Sequence, residues 1–138
     1  MATMQVELVS PEKVLFSGEA TQVITRTLDG EIAFLPGHSP FLGALAECHT
    51  RITLADGLVL DVAVHGGFVQ VSGNTVSILS DLAELAEQID RGRALHAMEV
   101  AEAKLGKEQD ADAESALARA HARLSATGGL AGTAQGAH

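Results

Sequence analysis

The chain has 138 residues, enough for one good core or for a domain of about 80 residues carrying an appendage of about 50. Its 18 acidic residues against 9 basic ones leave a formal net charge of -9, which argues against a nucleic-acid or anionic-lipid surface, since both need a cationic footprint. A single cysteine, Cys48, rules out an internal disulfide, and four Phe with no Trp or Tyr leave none of the aromatic platforms on which β-domains stack sugars or single strands. No apolar run approaches the roughly 18 residues of a membrane span, and Met1 to Ser10 lacks the basic start and apolar block of a signal peptide. A soluble, unprocessed chain with protein partners is expected.

Gln5 to Val9 and Val14 to Phe16 are β-prone pieces split by Ser10-Pro11-Glu12, where proline removes a ladder donor and fixes a bend. Glu19 to Thr27 follows, then a turn at Asp29-Gly30 and a strand over Glu31 to Leu35. Pro36-Gly37-His38-Ser39-Pro40 continues neither regular structure and must be a shaped loop. Gly43 to Ala46, His49 to Leu54 and Leu58 to Val64 come next, the last two joined at Asp56-Gly57, the strongest hairpin signal in the chain. Leu58, Leu60, Val62 and Val64 then point one way. After Gly66-Gly67, Phe68 to Val71 and Thr75 to Leu79 form a last hairpin through Ser72-Gly73-Asn74. About eight to ten short antiparallel strands at this spacing predict an all-β sandwich or flattened barrel over residues 1–81.

The hydrophobic period then changes. Val76 and Ile78 alternate with Thr75 and Ser77, whereas Ala94, Met98, Ala101 and Leu105 recur at spacings of four, three and four, one stripe of a helix. Asp90 suits the N-cap of that helix and Gly106 its C′ position. Asp110 or Asp112 can cap a second helix to about Ala126, with Ala113, Leu117, Ala120 and Leu124 as its stripe and Gly128-Gly129 as its stop. Residues 82–126 therefore read as an antiparallel helical hairpin, giving an α+β chain overall, and residues 127–138 as a flexible tail. The hairpin faces are mostly alanine. At about 1.5–3 kcal/mol for each buried Leu or Met, against roughly 1.5 kcal/mol of ordering cost per residue, its docking is expected to be marginal.

Taken in order, these elements resemble the epsilon subunit of bacterial F-type ATP synthases across roughly Met4 to Ala126. Three segments carry the resemblance: Val6 to Gly18 (VELVSPEKVLFSG), Gly30 to Leu42 (GEIAFLPGHSPFL), and Gly66 to Val71 (GGFVQV) with Thr75 to Asp81. The resemblance implies a non-catalytic subunit of the rotating central stalk, coupling proton-driven rotation to ATP synthesis. The sandwich would be held by the gamma subunit and rest on the ring of c subunits, which Glu31 and His38 would touch. The helices would fold down or extend toward the alpha and beta subunits, where they block rotation in the hydrolysis direction. Such a subunit sits peripherally at the cytoplasmic face of a bacterial inner membrane. Some relatives bind ATP on the folded hairpin through an Ile/Leu-Asp-x-x-Arg-Ala motif, matched here by Ile89, Asp90, Arg93 and Ala94, with Glu84, Arg119 and Arg123 in support. No metal, catalytic residue or required cofactor is implied, only a regulatory ATP.

The residues alone leave plainer roles open. Asp90 can simply cap its helix, Arg93 can pair with Glu99 or solvent, and Arg119 and Arg123, one turn apart, can form a solvated face. His38 can be a turn histidine bonded to its own backbone. His49, His65, His96, His121 and His138 show no ligand spacing and read as structural or solvent-facing. Gly66-Gly67 lacks the Lys-Ser/Thr of a phosphate loop, so close strand packing accounts for it better, and Cys48 reads as a small core residue. Two other function classes compete: a free-standing small-molecule-binding β-domain with Glu31 and His38 as acid and base, and a generic β-sandwich adaptor.

Overall fold

A computed structural model describes residues 2–106 and 111–128. Its strands are β1 (Met4–Val9), β2 (Val14–Thr27), β3 (Gly30–Phe34), β4 (Phe41–Ala44), β5 (Glu47–Leu54), β6 (Val59–His65), β7 (Gly67–Ser72), β8 (Thr75–Ser80) and β9 (Ala83–Leu85). Two layers arise from β2, which merges the two predicted pieces into one strand. Its first half pairs with β1, from Met4 against Ala20 to Val9 against Val14, and its second half pairs with β3 and β5. A register shift between Ala20 and Gln22 falls where the partner changes, and such irregularities bend and twist a strand. The strand order is β4-β7-β8-β1-β2-β5-β6-β9, with β3 beside β2.

Inward-facing residues of both layers make one core, with Val6, Leu8, Val23, Phe34, Ile52, Val62, Val64, Val69, Val76 and Ile78 wholly removed from solvent. At about 1.5–3 kcal/mol for each such side chain, this core anchors the molecule. Thr25 and Thr50 lie in it and satisfy each other, Oγ1 to Oγ1 at 2.8 Å, while Cys48 Sγ stands 3.5 Å from each hydroxyl. Cys48 is buried, as expected of a small core residue. Gly67, with φ at 109°, passes so close to β8 that a Cβ there would lie 2.1 Å from the Leu79 carbonyl oxygen. Close strand packing is thus the physical reason for Gly67, while Gly66 adopts a left-handed φ of 78°.

Three expectations need correction. The sheet is not wholly antiparallel: β1 and β8 run parallel, Gln5 beside Thr75 through Val9 beside Leu79. Alternation fixes which face a residue takes, not the direction of its neighbour, so the sequence pattern could not distinguish the two. Gly106 does close the first helix but adopts the right-handed region, φ −69° and ψ −17°, so no left-handed glycine cap forms. Asp112 lies inside the first turn of the second helix rather than at its cap, where its charge suits the helix dipole; Asp110 and residues 129–138 of the predicted tail lie outside the described residues.

Pairing continues past the predicted sandwich boundary through β9, where Ala83, Glu84 and Leu85 sit against Val64, Ala63 and Val62. A 3-10 turn at Ala86–Gln88 then leads to α1 (Arg91–Leu105) and α2 (Ala111–Ala126). Asp90 caps α1, its Oδ1 accepting the Arg93 N–H at 3.0 Å. Ala94 and Ala101 of α1 and Ala113, Ala120 and Leu124 of α2 are buried, as their stripes require, and Ala122 and Ala126 are buried as well. α2 lies between α1 and the outer face of β5 and β6. Ala122, Ala126 and Ile89 close over Ala63, so β6 is buried on both faces while its layer partners are buried on one.

Candidate functional site

Side chains alternate along a strand, so the outward row of the β5-β6-β9 layer is set by register: Glu47 faces His65, Arg51 faces Asp61, and Ala63 faces Glu84. This is the face that α2 covers. Two polar links fasten it. Arg123 of α2 donates through Nε to Glu84 Oε1 at 2.6 Å. Ser125 Oγ meets His49 Nδ1 at 2.9 Å, and His49 Nε2 meets Asp61 Oδ1 at 2.7 Å, with Arg51 Nε 3.3 Å from the same oxygen. Beneath the Arg123 link, His65 bridges Glu47 and Glu84 with its two ring nitrogens. Burial by itself would raise the Glu84 carboxyl, but hydrogen bonds from Arg123 and His65 and their charges outweigh it and hold Glu84 below the ordinary value of 4.5.

Beside this link a cleft of about 200 Å³ opens between the end of the sheet and the hairpin, lined by Glu84, Gln88, Ile89, Asp90, Arg93, Ala94, Ala97 and Arg123. Six of the residues expected to contact nucleotide, Glu84, Ile89, Asp90, Arg93, Ala94 and Arg123, therefore meet around one space although they span 40 positions of chain. Arg119 is not among the lining residues; it lies half-buried on α2, one turn before Arg123. Sequence reasoning missed Gln88 and Ala97. Ala97 stands one helical turn after Arg93, so the helix period offered a signal for it; Gln88 precedes the motif by one residue, and its side chain accepts the Leu85 N–H at 3.0 Å.

Two carboxylates and two guanidiniums make the cleft bipolar. Asp90 both caps α1 and lines the space, so the plainer role and the binding role coexist in one side chain. The cleft, about 200 Å³, is smaller than the usual ligand pocket of about 300–1,000 Å³. Ser125, His49 and Asp61 are joined in the order of a hydrolase triad, yet none lines the cleft, so they act as a fastening between helix and sheet. Among the described residues, no group of three His, Cys, Asp or Glu side chains is arranged to hold a metal ion.

Glu31 and His38 are not brought together. Glu31 is exposed near the start of β3, opposite Arg26. His38 lies beyond the far end of that strand, its ring edge-on to Phe34 at 4.9 Å and its Nδ1 on the Ser39 carbonyl at 2.7 Å. An acid–base pair of Glu31 with His38 therefore does not form. The loop that carries His38 is held by Asn74, whose Oδ1 accepts the Gly37 N–H at 3.1 Å and whose Nδ2 donates to the Thr3 carbonyl at 2.8 Å.

Residues 3–86 match the family model described as ATP synthase, Delta/Epsilon chain, beta-sandwich domain. The chain belongs to this family. It is 44% identical over 125 residues to the ATP synthase epsilon chain of Streptomyces avermitilis, covering 91% of this chain and 95% of that one. It is 53% identical over 91 residues to the epsilon chain of Rhodococcus jostii, covering 65% and 75%. Among solved structures it resembles a chain of the Euglena gracilis mitochondrial ATP synthase OSCP/F1/c-ring assembly, with a TM-score of 0.80 and 25% identity over 91% of this chain and 81% of the other. The epsilon resemblance read from the three sequence segments is thereby established, and with it a non-catalytic subunit of the F-type ATP synthase. Membrane association comes through that complex; among the described residues no helix is long and apolar enough to cross a membrane.

Proposed function

We propose that this epsilon chain regulates its rotary complex through the position of the α1–α2 hairpin, the docked arrangement being the form that permits rotation. The observation that carries this reading is the composition of the docking interface. Ala63, Ala122, Ala126 and Ile89 supply its apolar part, with the polar links of Arg123 and Ser125 beside them. Of the largest fully buried side chains among the described residues, Phe34, Leu8, Ile52 and Ile78 belong to the sandwich and Leu124 alone to the hairpin. A rigid platform with a lightly fastened arm is what a bistable subunit needs, since moving the arm from 99:1 docked to 1:99 requires about 5.5 kcal/mol of differential binding.

The cleft supplies a place from which ligand can bias that balance, because its walls come from β9, α1 and α2 and exist together only when the arm is docked. ATP, the ligand the sequence resemblance assigns, fits the donor set: Arg93 and Arg123 suit phosphate oxygens, and Asp90 and Glu84 suit an exocyclic amine. A ligand selective for the docked form at 100 times its Kd adds about 2.7 kcal/mol to docking. Arg119 and Arg123 face the alpha and beta subunits when the arm extends. The gamma subunit has a suitable seat on the other layer, where Val14, Val9, Leu79, Phe68 and Ala44 are aligned by register across β2, β1, β8, β7 and β4. Of these, Val14, Leu79 and Phe68 are large apolar side chains left exposed. Glu31 and the His38 loop, at the two ends of β3, are the contacts to the c-ring, on the cytoplasmic face of a bacterial membrane.

Calorimetric titration of the purified chain with ATP tests the ligand, and fluorescence transfer between the sandwich and α2 tests the arm. ATP is expected to bind and to raise the docked fraction, with both effects weakened in Arg93→Ala. Equal ATP affinity in Arg93→Ala would remove Arg93 from the site, and an ATP-independent transfer signal would remove the ligand from the regulation.

A further inference from the structure

His65 belongs to none of the segments that carry the ATP-site resemblance, yet its side chain is only 3% exposed and both its ring nitrogens face carboxylates. Nδ1 stands 2.7 Å from Glu47 Oε1 and Nε2 2.8 Å from Glu84 Oε1. Both ring nitrogens are therefore engaged, one on each carboxylate. Glu84 Oε1 also receives Arg123 Nε. The contacts therefore run in a line: Glu47 on β5, His65 on β6, Glu84 on β9, Arg123 on α2. Glu84 sits on a three-residue edge strand and would have several rotamers open to it without a partner on the sheet side.

We propose that His65 is the positioning residue of the hairpin fastening: it holds Glu84 in the one orientation that meets Arg123, and so sets the docked population of the arm. The titratable and charged groups that face it are Glu47, Glu84 and, through Glu84, Arg123. The second fastening, Ser125–His49–Asp61–Arg51, shares no partner with this line. His65 and Arg123 must then act as one unit, and His49 as another. The inference rests on the reading that the arm leaves the sheet.

A double-mutant cycle on the full chain, with docking read by fluorescence transfer between sandwich and α2, tests it. Arg123→Ala is expected to raise the undocked-to-docked ratio about five- to thirtyfold, His65→Ala to raise it by no more than that, and the double variant to do no more than Arg123→Ala. His49→Ala with Arg123→Ala should instead multiply. His65→Gln, which keeps an amide donor for Glu84, should recover part of the docking; paired with Glu84→Ala it completes a second cycle if His65→Ala does not fold. Independent, multiplying effects of the His65 and Arg123 substitutions would overturn the positioning role and leave the movable arm standing. An arm that stays docked in every variant, Glu84→Ala included, would overturn both.

Discussion

Arg123→Ala removes the guanidinium that ties α2 to the sheet, and its cost follows from the geometry. The Nε to Oε1 distance is 2.6 Å, with the two side chains 25% and 26% exposed. A charge-assisted hydrogen bond contributes about 1.5–3 kcal/mol and an exposed ion pair about 0–1. A pair that is a quarter exposed falls between, at roughly 1–2 kcal/mol, a factor of about 5–30 in the docking equilibrium. This falls short of the roughly 5.5 kcal/mol that would reverse a 99:1 balance, so the arm stays mainly docked and opens more often. Native-state amide exchange reads such openings segment by segment. Amides from Ala120 to Ala126 should exchange about 5–30 times faster in the variant, while those of Val6 and Ile78, deep in the sandwich core, keep their wild-type rates. Unchanged exchange in α2 would refute the energetic role of Arg123. Acceleration of α2 and the core together would show that arm and platform open as one unit.

Ala63→Leu adds bulk where Ala63 is wholly buried under Ala122 and Ala126; overpacking costs about 1–3 kcal/mol, and lifting α2 relieves it, so fluorescence transfer should report undocking with little change in the melting of the sandwich. Gly67→Ala places a Cβ 2.1 Å from the Leu79 carbonyl oxygen at a φ of 109°; the sandwich itself should lose roughly 2 kcal/mol or more, seen as a lower Tm in calorimetry. Acid should release the arm through Glu84. Its carboxyl is depressed when docked, so its contribution is fully present above the ordinary value of 4.5 and lost as pH falls below 4.5 through the depressed value. A docked fraction rising with acid over that range would contradict this.

Most of the platform was legible because each strand buries one face and its sequence alternates accordingly, as in Val6 and Leu8, or Val76 and Ile78. β6 broke that pattern: Ala63 is buried on its outer face by a helix some 60 residues away in sequence, while His65 lies between Glu47 and Glu84, and short-range periodicity carries no trace of a cover arriving from there. The three residues of β9, Ala-Glu-Leu, are too few to show a period. The cleft was legible at its α1 wall, where Ile89 to Ala94 form a contiguous motif, and on α2 at Arg123 though not at Arg119. The fastenings were not. His49 and His65 were expected to be merely structural or solvent-facing, and their partners stand 12, 18, 19 and 76 positions away. Only three-dimensional register brings such residues together, and they fasten the hairpin to the sheet.

The central claim, that the docked arm permits rotation and its release restrains hydrolysis, is tested most directly by fixing the arm in place. Ala63→Cys with Ala122→Cys, drawn from one alanine cluster, puts two thiols at the interface in the assembled ATP synthase, and once oxidation to the disulfide is confirmed by mass, ATP hydrolysis is measured oxidised and reduced. The oxidised complex should hydrolyse ATP at a steady rate free of the restraint that returns on reduction. Equal rates in the two states, or a slower oxidised complex, would contradict the account.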